Sequence, residues 1–462
     1  MKKYFRSLSF VSCWIMAIVF TWTVFNIGNF KEWRSPISYD VTNYYCYLPA
    51  IFVEGDLTLK FYDAHPEWFV NKYAPNKAPN GSNVIKMTMG LSFYYAPFFF
   101  IAHGYALLFD NPDGYSSPYR LMLLLSTVFF SVLGLFYLRK LLLLYFAEGA
   151  ATLVLLSLGI GTNLFYYTVH EPMSHAYLFF TFVIIMYYTV QWHRLPSLKD
   201  AARIGFFSGL AILIRPTDGI ILLIPLLYSV TSIATLQTKL ALLITHWKHV
   251  MLLGIALCIP ISFQLIYWKI VTGEWIFFSY VGEGFLWNDP EIWNGLFSYR
   301  KGWFLYTPII SFAFLGFFFL YRYCRDFFVP ILLFTIINIY VVLSWWSWWY
   351  GGSFGLRSFI ESYALLALPM GACYQWLLKS GWSTLLLVAV IILLSTLNQI
   401  QTFQYRHYYI HWDSQSKAAY WYVFLKMNLT EEEKKTLGKL QEQPPWQRYE
   451  KLQQKQMQEG NN

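Results

Sequence analysis

Charge is what this chain has least of. Asp, Glu, Lys and Arg make up 13% of its 462 residues against 57% hydrophobic, about half the ~25% charged of an average soluble domain. That shortage excludes a fold exposed to water on all sides and leaves an integral membrane protein. Cysteine is nearly as scarce: Cys13, Cys46, Cys258, Cys324 and Cys373 lie far apart with no C-x-x-C spacing. Neither a zinc ribbon nor a disulfide framework can be built from them, so they read as packing residues. The sequence also lacks a P-loop, a G-x-G-x-x-G following a strand, and any convincing internal repeat.

What is present is apolar and aromatic. Aromatic residues reach 21%, with 20 Trp and 36 Tyr, many near the ends of apolar runs, where amphipathic rings settle at headgroup depth. The formal net charge of +9 reads as an orientation signal in short loops, not as a nucleic-acid surface. Met1, Lys2, Lys3 and Arg6 precede an apolar run from Phe10 to Ile27. That run is longer than a signal-peptide core and has no small-residue cleavage site, so it reads as an uncleaved first helix with its start in the cytoplasm.

Further span candidates lie near Leu121 to Tyr137, Ala150 to Tyr167, Ala176 to Val190, Ile204 to Ile214, Ile220 to Ile233, Met251 to Ile270, Phe304 to Leu320, Phe327 to Leu343, Phe359 to Leu377 and Leu385 to Leu397. The two flanking Arg215-Pro216 are short, and fit either two tilted helices or one broken helix. Reading Gly90 to Phe109 as a juxtamembrane or re-entrant helix leaves Arg139, Lys140, Arg194, Lys199, Arg203, Lys239, Lys248, Arg322, Arg325 and Lys379 on the inner side, as the positive-inside rule expects. The expectation is an all-α polytopic protein of about eleven transmembrane helices. A long first extracytoplasmic loop over 28–120 carries juxtamembrane helices. The transmembrane domain is placed at 1–401, followed by a polar, partly helical extracytoplasmic segment over 402–462. Within that segment Thr430 and Glu433 predict a capping box, Pro444-Pro445 interrupts, and the Gln-rich end is expected to fray.

On this topology the distinctive polar residues collect on the outer side. The first loop runs through Tyr39-Asp40, Asn43-Tyr44-Tyr45, Tyr47-Leu48-Pro49 and Glu54-Gly55-Asp56 to Lys86, then Gly90-Leu91-Ser92-Phe93-Tyr94-Tyr95-Ala96-Pro97-Phe98. An acid after the first span, a small amphipathic helix, a Gly-Asp turn and a lysine leading into an aromatic juxtamembrane helix resemble the GT-C superfamily of membrane glycosyltransferases. The nearest branch is that of protein O-mannosyltransferases and aminoarabinose transferases. The resemblance implies that Asp40 is the general base or acceptor-orienting acid and that Lys86 binds donor phosphate, with Tyr44 and Tyr45 as substrate-binding candidates. The chain departs from that pattern with Val41 in place of a second acid, and with Met87-Thr88-Met89 after Lys86 where relatives carry Pro-Pro and an aromatic residue.

Sugar transfer from a polyprenyl phosphate needs a carboxylate at the acceptor hydroxyl and cations at the departing phosphate. Asp40 otherwise reads as an exposed loop acid or an N-cap, and Lys86 as a snorkelling lysine. Arg300 and Lys301 run against the charge bias on the outer side, which suits a lipid phosphate or a headgroup. Arg357 follows Trp348-Trp349-Tyr350-Gly351-Gly352, whose rings fit a sugar face or the aromatic belt. His170, Glu171 and His175 lack the i, i+4 pairing of a helical metal site and read as a substrate-binding or structural turn. Glu283 and Glu361 are candidates to position an acceptor, and Arg215 with Asp218 reads as a self-neutralising pair.

These residues together predict a glycosyltransferase of the inner (plasma) membrane with its site facing the periplasm. It would move a sugar from a polyprenyl-phosphate donor to a protein, lipid or glycan hydroxyl, with inversion. The absence of an Asp-x-Asp motif favours a lipid-borne donor over a nucleotide sugar. No metal ligand set and no further cofactor are expected, although the chemistry is compatible with a divalent cation. No nucleic-acid partner is expected. The alternative is a transporter or flippase of a lipid-linked sugar or polysaccharide.

Overall fold

A chain this apolar must satisfy its backbone hydrogen bonds internally, and it does so with helices. The computed structural model describes residues 7–31, 36–64, 75–280 and 282–460. Among the described residues the one sheet is a hairpin that pairs Asn76–Lys77 with Asn83–Val84. Six described helices are long and apolar enough to cross a membrane: Leu8–Ile27, Gly90–Phe109, Ser117–Leu142, Trp247–Thr272, Arg325–Ser344 and Gly381–Arg406. These make the chain a multi-pass membrane protein by length and composition. Met1, Lys2, Lys3 and Arg6 lie outside the described residues, as do 32–35 and 65–74 of the first loop.

Several expected elements differ, each for an identifiable physical reason. Gly90–Phe109, read above as juxtamembrane, is one continuous helix of 20 residues that tolerates Pro97 in its interior. At 1.5 Å per residue it is ~30 Å long, enough for the hydrocarbon core. The run from Ala150 to Tyr167 is two helices, Glu148–Ile160 and Leu164–Val169. Asn163 in the break donates to the Phe354 carbonyl at 3.1 Å and accepts from the Tyr363 hydroxyl at 2.7 Å. The run from Phe304 begins as short turns at Trp303–Tyr306 and Pro308–Ile310 before helix Ser311–Tyr323, since Pro308 has no N–H to give. Helix Leu198–Ile214 stops at Arg215, which is extended ahead of Pro216, and the chain continues as a 3-10 turn Pro216–Leu222 and helix Leu223–Leu227. The helix ends there because a residue before proline is driven out of the helical region. The chain then turns back, since the Pro225 carbonyl meets the Lys239 ammonium that also contacts His193, just ahead of the start of Leu198–Ile214; of the two readings, helices meeting at a turn fits this path.

The chain divides into two compact units. One comprises Cys13–Leu138 and Tyr167–Val281. In it, helix Leu198–Ile214 lies against Trp247–Thr272 and Ser174–Arg194. A side chain at Gly205 or Gly209 would run into the carbonyls of Leu253 and Leu257, so this pair uses the small-xxx-small approach by which membrane helices gain contact area. The first loop has its own core in this unit: Tyr47, Leu59, Val84, Ile85 and Met89 pack with Leu213, Tyr267 and Val271.

The other unit comprises Met1–Ser12, Arg139–Tyr166 and Gly282–Asn462. Helix Ser311–Tyr323 packs on Tyr363–Leu377, with Gly316 facing the Pro369 carbonyl where no side chain fits. The C-terminal segment forms helices Lys417–Val423, Glu431–Lys439 and Gln447–Gly460. Thr430 and Glu433 make the expected capping box in full. The Gln-rich end, expected to fray, is drawn into helix Gln447–Gly460. It is helical because Arg448, 4% exposed, ties its start to Glu291 Oε1 at 2.9 Å, to Asp289 Oδ2 at 3.3 Å and to the Trp346 carbonyl at 3.1 Å.

Candidate functional site

The sequence-derived candidates fall into two groups, one in each unit. Asp40, Tyr44, Tyr45, Lys86, His170, Glu171 and His175 belong to the first described unit; Glu283, Arg300, Lys301, Arg357 and Glu361 belong to the second.

In the first unit, Asp40 sits in the first turn of helix Tyr39–Tyr45. It is half-buried, whereas its neighbour Tyr39 is 77% exposed. Tyr39 also takes φ 48, a left-handed conformation that costs a bulky residue of order 1 kcal/mol and persists where surrounding structure imposes it. The far end of this short helix is anchored: the Tyr44 carbonyl accepts from Ser92 Oγ at 2.5 Å, and the Tyr45 hydroxyl donates to the Gly114 carbonyl at 2.5 Å. Both tyrosines are buried, so they fix the helix that carries Asp40. Asp56, in the Gly-Asp turn, caps helix Lys60–Ala64 by accepting from the Thr58 and Lys60 amides, each at 2.8 Å. Burial pushes its carboxyl up, but the Thr58 and Lys60 donors more than offset that and hold it below the usual range.

Lys86 is half-buried on the approach to helix Gly90–Phe109, its ammonium 5.2 Å from the centre of the Tyr280 ring. Its backbone is pinned on every side. The Lys86 carbonyl accepts from Ser279 Oγ at 2.5 Å and the Ile85 amide donates to the Tyr267 hydroxyl at 3.0 Å. The Tyr47 hydroxyl donates to the Met87 carbonyl at 2.8 Å, and the Met89 amide to Gln264 Oε1 at 2.8 Å. Ser92 and residues 85–89 thus draw the helices of the first loop to the start of Gly90–Phe109. Tyr280 was not among the sequence candidates, although the aromatic run Trp275 to Tyr280 beyond a span end was the available signal.

The His170 to His175 turn is held as a structural element. His170 Nδ1 is hydrogen-bonded to the Asn29 side chain, and the Pro172 carbonyl accepts from the Tyr95 hydroxyl. His175 is buried against the Tyr167 ring, centroids 5.7 Å apart. No group of three or more His, Cys, Asp or Glu that could hold a metal ion is found among the described residues. Arg215 and Asp218 pair at 3.9 Å, with Asp218 buried.

In the second unit, Arg300 and Lys301 engage backbone carbonyls. Arg300 donates to the carbonyls of Asp413, Glu442 (3.1 Å) and Gln443 (2.9 Å). Burial lowers its guanidinium pKa while the Asp413 and Glu442 charges push the other way. Lys301, 1% exposed, donates to the carbonyls of Ser353 and of Trp412, the latter at 2.5 Å. Arg357 is half-buried with a long contact of 3.4 Å to the Gly352 carbonyl. Glu361 is buried, and Glu283 accepts from Trp346 Nε1 at 3.4 Å. Gly355, at φ 60 against Tyr306, gives the glycine-rich run the turn that a side chain would block.

Compared with protein-family profiles, curated proteins and solved structures, the chain matches none.

Proposed function

We propose that this protein is a glycosyltransferase that moves a sugar from a polyprenyl-phosphate donor to an acceptor hydroxyl at the outer face of the inner membrane. The observation that carries the reading is the convergence of the first loop on one helix start. The Asp40 helix is bonded to Ser92, and Lys86 stands four residues ahead of Gly90. A carboxylate and an ammonium held by fixed backbone are the two groups that single displacement from a glycosyl phosphate requires.

In this mechanism the Asp40 carboxylate takes the acceptor proton as the hydroxyl oxygen bonds to the anomeric carbon. The anomeric C–O bond to phosphate breaks, and its electron pair leaves with the phosphate oxygen, whose charge the Lys86 ammonium stabilises. One displacement inverts the sugar. Arg300 and Lys301 bind carbonyls of their own unit, so the proposal rests on Asp40 and Lys86. Arg357 is retained as a candidate phosphate contact, and Glu283 and Glu361 as candidate acceptor contacts.

A second reading, passage of a lipid-linked sugar without cleavage, is favoured by the Arg215–Asp218 pair, its Asp218 buried where helix Leu198–Ile214 ends, since ionisable groups inside a membrane bundle mark substrate pathways. The test is release of polyprenyl phosphate by the purified protein in nanodiscs, using a panel of polyprenyl-phosphate sugars. Transfer that falls ~10²- to 10⁴-fold in Asp40→Asn, with donor binding retained, is the expected result. Full activity of a folded Asp40→Asn protein would overturn the base, and donor binding without turnover across the panel would favour passage.

A further inference from the structure

Between Asp218 and Glu274 the chain carries no acidic residue, and its cations there are Lys239, Lys248 and Lys269. Within this stretch lies helix Ile233–Thr245, 13 residues long and closed at its start by a capping box between Ser232 and Thr235. At 1.5 Å per residue it is ~20 Å long, well short of the ~30 Å hydrocarbon core. It cannot span, yet it does not resemble a helix that faces only water.

Its surface divides into three faces. Ile233 (78% exposed), Leu236 (38%), Leu240 (51%) and Ile244 (73%), continued by Trp247 (57%), are all exposed apolar side chains. Their spacing of three, four and four residues keeps Ile233, Leu236, Leu240 and Ile244 in one stripe, ~80° wide at ~100° per residue, and Trp247 opens the next helix beyond the turn at His246. Ala234, Gln237, Thr238, Ala241 and Thr245 are exposed on a second, small and polar face. The third face meets the protein, and its one buried side chain is Lys239. The Lys239 ammonium donates to the Pro225 carbonyl at 2.8 Å and contacts His193 Nε2. One helix therefore has a protein face, an apolar face and a polar face, the partition of a helix lying in the plane of a bilayer interface. Trp247 and Lys248 follow at its end, the Lys248 ammonium 5.8 Å from the Trp247 ring, beside His246 and His249. The rim is aromatic and basic, and Asp200, the acid in the first turn of the adjacent helix Leu198–Ile214, is paired with Arg203 at 2.8 Å, which leaves the rim complementary to anionic headgroups.

We propose that helix Ile233–Thr245 lies in the headgroup layer with its Ile233, Leu236, Leu240 and Ile244 stripe at the acyl boundary, and that it prefers anionic over zwitterionic phospholipid. The inference does not depend on the glycosyltransferase reading. Among the described cysteines Cys258 is exposed and the others are buried, so a full-length Cys258→Ser protein is a background for site-directed spin labels. Labels would be placed at Ile244→Cys, at Leu240→Cys and, on the polar face, at Thr238→Cys, in nanodiscs of phosphatidylglycerol or of phosphatidylcholine. The expected result is collision with oxygen dominating at 244 and 240, and collision with an aqueous nickel chelate dominating at 238. Spin-labelled phosphatidylglycerol should be immobilised at least about 3-fold more than spin-labelled phosphatidylcholine. Equal access of the nickel chelate to all three sites would overturn the interfacial placement. Shielding of 244 and 240 from both reagents would overturn it in favour of a protein partner, and equal immobilisation of the two lipids would overturn the headgroup preference.

Discussion

One imidazole nitrogen holds the turn on which the Arg300 and Lys301 side chains rest. His411 Nδ1 accepts from the Asp413 amide at 3.2 Å and the Ser414 amide at 2.9 Å, so it carries no proton. The Asp413 carboxylate lies 3.1 Å from the same nitrogen and favours its protonation. The turn presents the Trp412 and Asp413 carbonyls to Lys301 and Arg300. Burial lowers the His411 pKa, Asp413 opposes this, and the Lys301 charge adds to the lowering. A base depressed in the folded state binds fewer protons folded than unfolded below its ordinary value of ~6.5, so stability falls as pH drops through that value. Amide exchange over 408–416, corrected for intrinsic rate, should be faster at pH 5.5 than at pH 7.5. His411→Asn, whose side-chain oxygen accepts the same two amides, should abolish the difference, and His411→Ala should expose the turn at both pH values. Equal protection of the native turn at the two pH values would show that the imidazole does not control it.

Helices were legible from the sequence where their cause is local and hidden where the cause is a distant contact. The Thr430–Glu433 box was readable because both partners lie within one turn. The break at Gly161–Asn163 was not, because Asn163 is turned by Phe354 and Tyr363, about two hundred residues away in sequence. The glycines of helix Leu198–Ile214 belong to the second kind. Gly205 and Gly209 are spaced by four, but only the facing carbonyls of Leu253 and Leu257 give that spacing a role. Gly209→Ala forces a methyl group against a backbone oxygen that cannot rotate away, a cost of about 1–3 kcal/mol. Gly254→Ala is the matched control, since its methyl group would meet nothing within 4 Å and the substitution gains helix propensity. Unfolding in mixed micelles should therefore separate the two, with Gly209→Ala less stable and Gly254→Ala equal to or above the native protein. A neutral Gly209→Ala would mean that the helices are not in contact at these glycines.

At the scale of the molecule, the sequence offered Asp40, early in the first loop, and Lys86, at its end, as the acid and the phosphate contact, and offered Arg300 and Lys301 as cations for an anion. A pair of cations in the sequence does not reveal that carbonyls from a segment more than a hundred residues later will reach it. The C-terminal segment brings those carbonyls. Arg300 takes acceptors at Asp413, Glu442 and Gln443, Lys301 takes one at Trp412, and Arg448 returns the interaction to Asp289, Glu291 and Trp346. The Gln453 side chain closes the strap by donating to the Gly282 carbonyl at 2.9 Å. Removing 402–462 would therefore strip these acceptors from Arg300 and leave Lys301, 1% exposed, with one of its two carbonyls. Orphaning a buried charge costs about 3–5 kcal/mol, a large part of a typical ~5–15 kcal/mol of stability. The truncated protein should therefore lose monodispersity and thermal stability before any catalytic effect can be judged, which makes it a poor test of whether the segment recruits a partner. Arg448→Gln is the sharper probe. It releases the last helix while leaving the Arg300 and Lys301 contacts in place. Exchange should rise over 447–460 and 283–292, with 408–416 unchanged. Uniform loosening of all three regions would show that the strap is one cooperative element, and no change in any would show that Arg448 does not hold it.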